Sequence, residues 1–182
     1  AERSEDPRLM GHRLACYRQT GNAGIEIPAE EEILHAAAYR ATENGLDYAS
    51  RLMLRDAVVN NRLFWAAPEP GWTLVVITAQ PNDLNYLDPA VADRWLELHL
   101  GEYEKRVPDL LGNTLEAYGP DEMYVLRGNI LYSPALIERF QREKGYDPLP
   151  YLAGIFLDIG ARTDKIRCDY YEVMSSLLDE SF

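Results

Sequence analysis

The first seventy positions carry short apolar stretches separated by turn residues, a pattern typical of β-strands. The predicted strands are residues 13–18, 33–41, 51–54 and 62–65. Asn44-Gly45 is a strong signal for a hairpin between two of them. The breaker Pro68-Glu69-Pro70-Gly71 then ends this region.

Residues 72–78, Trp-Thr-Leu-Val-Val-Ile-Thr, form the strongest predicted strand of the chain. Apolar residues occupy both alternating sets of positions, so both faces of this strand are predicted to be buried. Strands of this kind are typical of parallel sheets that carry helices on each side. The pattern therefore predicts a parallel strand.

Helix signals dominate the second half of the chain. Asp88-Pro89 and Ser133-Pro134 each place an N-cap residue before a proline at the first helical position. They predict helices that run to about Arg106 and to Gly145, respectively. The first has apolar residues at helical spacing, which predict a wide buried stripe: Val91, Trp95, Leu96, Leu98, Leu100 and Tyr103. The other predicted elements are a strand over 114–118, a short apolar helix over 151–157 and a last helix from Thr163 or Asp164 with an apolar stripe of Ile166, Tyr170, Val173, Met174 and Leu177.

The order of these elements predicts an α/β fold. From residue 71 onward, strands and helices alternate, which implies a parallel sheet or barrel with crossover helices. We therefore divide the chain into a β-rich layer or insertion over 1–70 and a set of β/α units over 71–182.

Charge restricts the expected partners. The chain has 18 Lys and Arg against 30 Asp and Glu, a formal net charge of −12. Such a surface repels phosphate backbones and anionic lipids, so we expect neither a nucleic acid nor a membrane as partner. An acidic cluster at Glu30-Glu31-Glu32 is interpreted as solvated surface.

The sequence supplies few signals for a metal, a disulfide or a cellular location. Cys16 and Cys168 have no CxxC or Cys/His spacing, so a zinc site is not expected, and the two could pair or stay free. His12, His35 and His99 are expected to be structural. The chain begins at Ala1 without a signal-peptide pattern, so either a leader was removed or a longer protein contains it; localisation stays open between periplasm, exterior and cytoplasm.

Carboxylates follow the two best predicted strands of the second half. In parallel α/β folds, functional groups gather at the carboxyl ends of the strands. Asp83 follows the strand over 72–78, and Asp121-Glu122 follows the strand over 114–118, with Tyr118 and Tyr124 beside it. Paired carboxylates next to aromatic rings are what glycoside hydrolysis requires. The alternative is that the Asp-Glu pair is solvated surface and that the rings are packing residues.

Four stretches carry a resemblance to a known family. They are the run from Pro68 through Trp72 and Tyr86-Leu87-Asp88-Pro89-Ala90-Val91 to Tyr103, residues 115–122, the run Phe140-Gln141-Arg142-Glu143-Lys144-Gly145-Tyr146-Asp147-Pro148-Leu149-Pro150-Tyr151-Leu152, and Arg167-Cys168-Asp169-Tyr170-Tyr171 with Phe182. In this order and spacing they are similar to the α-L-rhamnosidase-like glycoside hydrolases of family 106 and their relatives. The resemblance covers about two thirds of the chain.

The resemblance implies that the chain is a segment of a (β/α)8 barrel preceded by a small β-rich insertion. The family's Asp-Glu dipeptide falls on Asp121 and Glu122, which implies Glu122 as the catalytic carboxylate. Asp121, Tyr118, Tyr124 and, as the only in-chain alternative for a second carboxylate, Asp83 are the expected sugar-binding residues. No cofactor is expected from the residues; the resemblance implies calcium, without ligands that the sequence identifies.

The length of the chain leaves two hypotheses for its function. A full barrel takes about 250 residues, so this chain supplies only part of one. In the first hypothesis it is the central part of a hydrolase of α-L-rhamnosides, with a carbohydrate substrate and the rest of a longer chain as partner. In the second it is a non-catalytic module that binds carbohydrate or another protein, including a second copy of itself.

Overall fold

The computed structural model describes residues 9–117 and 129–181, which form an antiparallel sheet covered on both faces. Seven strands are β1 Met10–Thr20, β2 Ala23–Glu26, β3 Glu32–Ala41, β4 Leu46–Met53, β5 Arg62–Trp65, β6 Trp72–Leu84 and β7 Leu131–Tyr132. Four α-helices are α1 Pro89–Arg106, α2 Pro134–Lys144, α3 Ala153–Phe156 and α4 Thr163–Ser181. Short 3-10 turns lie at Arg55–Ala57, Pro108–Leu110 and Leu149–Tyr151.

The main sheet has five strands in the order β4-β3-β6-β1-β7, and every neighbouring pair is antiparallel. β2 and β5 form a separate two-stranded antiparallel ribbon. The predicted (β/α)8 barrel segment is therefore wrong, because the strands from both sides of residue 70 join in one open antiparallel sheet. The expectation of a parallel strand over 72–78 is wrong for the same reason.

The surroundings of β6 explain why its apolar pattern wrongly predicted a parallel strand. Its residues Trp72 to Ala79 are all buried. Val75 and Ile77 face a core shared with α2, α3 and α4, whereas Leu74 and Val76 face the ribbon. A central strand between helices and a ribbon is thus apolar on both faces without being parallel.

Helix ends follow their capping residues. Asp88 accepts a hydrogen bond from the backbone of Ala90, and Ser133 accepts one from Leu136, as expected of N-caps. Gly145 ends α2 in the left-handed conformation. The predicted bounds of α1 and α2 and the start of α4 are confirmed.

The predicted apolar stripes differ in outcome. α4 buries Ile166, Tyr170, Val173 and Leu177 in the main core, with Met174 packed partly against it. α1 buries Val91 alone. Its other apolar side chains are exposed or only partly buried, so the helix pattern of α1 correctly predicted its bounds but not its burial.

The predicted strand over 114–118 does not form over its described part. Leu115 makes one isolated bridge to Leu111, and residues 116–117 have no regular structure. The short loop here closes on itself, because the Leu110 carbonyl accepts hydrogen bonds from the backbone of residues 113 to 115 and the Gly112 N–H donates to the Leu115 carbonyl. No sheet neighbour is therefore available to extend the pairing within the described residues.

The β3–β4 hairpin is held against the chain just before α4. Gly45 lies so close to Asp158 that a Cβ atom would be 2.4 Å from the Asp158 carbonyl oxygen. That same oxygen accepts a hydrogen bond from Leu46 at 2.8 Å. The hairpin predicted at Asn44-Gly45 is confirmed, and its glycine is required by this close approach.

Candidate functional site

The predicted catalytic and sugar-binding residues lie almost entirely outside the described part of the chain. Tyr118, Asp121, Glu122 and Tyr124 lie outside the described residues. Asp83 falls within β6, which continues to Leu84 instead of ending at residue 78; its side chain also lies outside what the structure describes. The roles assigned to these residues stay predictions.

The structure instead brings together a polar cluster on the ribbon side of the sheet. We call it the Glu31 cluster; its members are Arg13, Tyr17, Glu31, Thr78, Gln80 and Asn129. It lies along the pairing of β1 with β6, where Arg13 is opposite Gln80 and Ala15 is opposite Thr78, next to the residue that precedes β3. Strand alternation places Tyr17 and Thr78 on the same face as Leu74 and Val76.

Glu31 is the centre of the cluster and is 5% exposed. Tyr17 Oη and Gln80 Nε2 donate hydrogen bonds to its Oε1 at 2.8 and 2.9 Å. Thr78 Oγ1 donates to its Oε2 at 2.5 Å. Among the residues that the structure describes, all three direct donors are uncharged, so hydrogen bonding compensates the burial of this carboxylate without an ion pair.

Arg13 extends the cluster toward β7. Its Nε donates to Gln80 Oε1 at 2.8 Å, and its Nη1 donates to Asn129 Oδ1 at 2.9 Å. Gln80 therefore donates to the buried carboxylate with its amide nitrogen and accepts from the guanidinium with its oxygen. The chain of hydrogen bonds ties the strands β1 and β6 to the residues that lead into β7.

The surroundings of Tyr17 keep its phenol protonated. Burial, and then the hydrogen bond and charge of Glu31, raise the pKa of Tyr17 to about 12. Tyr17 thus remains a hydrogen-bond donor throughout the physiological pH range. Since both oxygens of Glu31 accept bonds and its exposure is low, the cluster is suited to hold a structure or a polar ligand rather than to transfer protons.

Sequence reasoning missed this cluster. Glu30 and Glu32 are exposed, as the interpretation of the acidic run expected, but Glu31 between them is buried. A usable signal lay in β6, where Thr78 and Gln80 continue the face of Val76 with polar side chains. Polar residues on the continuation of a buried face need partners, and a nearby acidic run offers an acceptor.

Other candidate chemistry is structural within the described residues. Cys16 and Cys168 are both free, and burial raises the pKa of the Cys16 thiol to about 11. His35 is buried, with its Nε2 2.7 Å from Tyr39 Oη. Across residues 9–117 and 129–181, no three His, Cys, Asp or Glu side chains are placed to hold a metal ion. No helix in this part of the chain combines the length and apolar character needed to cross a membrane.

Comparison with known proteins finds a likeness among solved structures. No family model matches the sequence, and no curated protein does. Among solved structures, the chain is similar to a rhamnosidase from Novosphingobium sp. PP1Y, with a TM-score of 0.52 and 25% sequence identity. The likeness covers 75% of this chain but only 15% of that protein. It supports a relationship to glycoside hydrolases, in which this chain corresponds to a small part of a much longer molecule.

Proposed function

We propose that the chain is part of a larger glycoside hydrolase that cleaves O-glycosidic bonds of α-L-rhamnosides. The observation that carries the proposal is the likeness, at 25% identity, to a part of a protein named as a rhamnosidase. The resemblance of the four sequence stretches, taken together in their order and spacing, supports the same family.

In this proposal Glu122 is the catalytic carboxylate, acting as general acid or base. Asp121, Tyr118, Tyr124 and Asp83 bind the sugar. The Glu31 cluster has a supporting role, because Arg13 holds Asn129 at 2.9 Å shortly after Glu122 in sequence. The bond ties the Asn129 side chain to β1, and in this proposal it helps to position the catalytic group, for which misplacement by about 1 Å can cost about 100-fold in rate.

The direct test is hydrolysis of p-nitrophenyl α-L-rhamnopyranoside by the protein that contains this chain. Glu122→Gln removes the ionisable group at constant size and should abolish turnover while circular dichroism and thermal unfolding stay unchanged. Glu116→Gln is the matched control, since Glu116 is an exposed carboxylate close by in sequence. Full activity of the Glu122 variant would overturn its assignment.

A second candidate function is a non-catalytic carbohydrate-binding or interaction module within such an enzyme. It is favoured by the open antiparallel sheet and by the state of Glu31, the one buried acidic residue of the described ranges, whose oxygens are already occupied. This candidate expects the chain to bind methyl α-L-rhamnopyranoside without hydrolysing the nitrophenyl rhamnoside. Absence of both binding and turnover would refute both candidates.

The expected partner is the remainder of the longer hydrolase. Helix α1 and the turn after it leave six large apolar side chains exposed: Leu96, Leu98, Tyr103, Leu110, Leu111 and Leu115. Leu96 and Tyr103 lie on one face of α1 at helical spacing, and exposed apolar side chains grouped in this way often mark a protein–protein contact. If this face packs on the rest of the enzyme, the 182-residue chain alone should self-associate in sedimentation velocity, and Leu96→Glu should restore a monomer. A monomeric wild-type chain would contradict this assignment.

A further inference from the structure

The ribbon of β2 and β5 has two faces of opposite character. Its inner face packs Ala23, Ile25 and Leu63 against the main sheet. Its outer face carries two cross-strand pairs, Gly24 with Phe64 and Glu26 with Arg62. Packing of the ribbon on the main sheet therefore does not explain which residues its outer face carries.

Phe64 is the most notable residue of that surface. It is 76% exposed, more than any other large hydrophobic side chain of the described residues. A Cβ atom on Gly24 would lie 3.1 Å from two atoms of the ring, Cδ1 and Cε1, so the ring lies over the glycine. The edge of the ring that carries Cδ1 and Cε1 lies next to the glycine, and most of the ring is open to solvent.

Polar groups flank the ring at one end. Arg62 Nη2 and Glu26 Oε1 form an ion pair at 2.9 Å, directly beside the Gly24 and Phe64 pair. Their charges cancel, so the ion pair offers no net charge to a ligand, and the acidic chain as a whole disfavours anionic ligands. The local chemistry suits a neutral ligand with several hydrogen-bonding groups.

A cavity of about 520 Å³ continues this end of the ribbon, and Glu26 contributes to its wall. The amides of Asn60 and Asn61 line it together with Ile27, Pro28 and Ala29. Both asparagines have positive φ, 50° and 57°, in the two-residue turn that joins Val59 to Arg62. Glycine is the usual second residue of such a turn. Asn61 occupies that position here, although glycine would adopt the positive φ with less strain.

We propose that this surface binds a neutral saccharide, with Phe64 as the platform for a sugar ring and Glu26, Arg62 and Asn60 as partners for its hydroxyl groups. Aromatic faces attract the polarised C–H groups of a sugar, and a few placed polar groups fix its orientation. The volume of the cavity lies within the range of small-molecule sites. The choice of saccharide rests on the proposed function; the location of the site rests on the ribbon alone.

The test is a titration of the 15N-labelled 182-residue chain with methyl α-L-rhamnopyranoside, followed by amide chemical shifts. The expected result is saturable shifts at Gly24, Asn60 and Arg62. Phe64→Ala should weaken binding at least tenfold, and Gly24→Ala should weaken it less, because the added methyl displaces the ring without removing it. Tyr103→Ala on α1 removes another exposed ring and should leave the affinity unchanged.

The possible outcomes separate this inference from the proposed function. Shifts confined to residues away from the ribbon, or equal affinity in the Phe64→Ala protein, overturn the saccharide site while leaving rhamnoside hydrolysis intact. Binding at the ribbon in a protein that hydrolyses no rhamnoside upholds the site and refutes the catalytic proposal. Absence of sugar-induced shifts together with loss of self-association in Phe64→Ala would identify the surface as a protein contact and overturn the inference.

Discussion

His35 makes the stability of this protein sensitive to acid. The side chain is 1% exposed, and its Nε2 lies 2.7 Å from Tyr39 Oη inside the main core. Burial, and then the positive charges of Arg51 and Arg55, lower the pKa of His35 from 6.5 to about 4. The folded protein therefore keeps this imidazole neutral under conditions in which an unfolded chain would protonate it.

The sign and size of the effect follow from the two pKa values. Above about pH 6.5 neither state of the chain protonates His35, so the group contributes no pH dependence. Between about pH 6.5 and about pH 4 the unfolded state binds the extra proton, and the free energy of unfolding falls as the pH falls. At about pH 4.5 the loss is about 2.5 kcal/mol, at 1.36 kcal/mol for each unit between the pKa values.

Urea denaturation followed by circular dichroism at about pH 7 and about pH 4.5 measures this loss. His35→Gln keeps a polar side chain of similar size but cannot titrate, so its loss between the two pH values should be about 2.5 kcal/mol smaller than that of the wild type. His99→Gln is the matched control for the loss of an imidazole, because His99 is exposed on α1. Equal pH dependence in the wild type and the His35 variant would refute the reasoning.

Three further predictions concern packing, thiols and the polar cluster. Gly45→Ala should lower the free energy of unfolding by about 2 kcal/mol or more, since its methyl would meet the carbonyl oxygen 2.4 Å away; Gly101→Ala, in an open part of α1, should raise it by about 0.5–1 kcal/mol in the same urea assay. With a thiol reagent such as dithionitrobenzoate, exposed Cys168 should react in a fast phase that Cys168→Ser removes, while Cys16, whose pKa is raised to about 11, should react only on unfolding; rapid labelling of Cys16 would contradict this. Glu31→Gln places an amide donor among three donors and should cost about 1–3 kcal/mol in urea denaturation, whereas the same change at either exposed neighbouring glutamate should be neutral.

Local signals predicted local structure well. The capping pairs at Asp88 and Ser133 and the left-handed glycine at Gly145 set helix ends through interactions within a few residues, and the sequence contains all of that information. The strand β5 was likewise predicted with its observed bounds, because turn residues flank it on both sides.

The arrangement of the strands depends on contacts that no short window contains. The apolar run that begins at Trp72 indicates that both faces of β6 are buried, but it does not indicate which elements bury them. In the structure the ribbon covers one face, where the prediction expected a layer of helices. The parallel direction of β6 was inferred because strands buried on both faces usually lie between two helix layers, and β6 does not. The same limit hid Glu31, whose donors Tyr17 and Thr78 come from distant strands.

The position of β1 has a consequence for how the chain folds. Strand β1 precedes the other described strands in the sequence, yet it pairs on one side with β6 and on the other with β7, whose last residue is Tyr132. A ribosome-bound chain can close the β3–β4 hairpin early, but its amino-terminal strand has no partner in the main sheet until β6 has emerged. Because such long-range pairings are slow to form, the docking of β1 between β6 and β7 is expected to limit the rate of folding. Until then, both edges of β1 lack a partner in the main sheet.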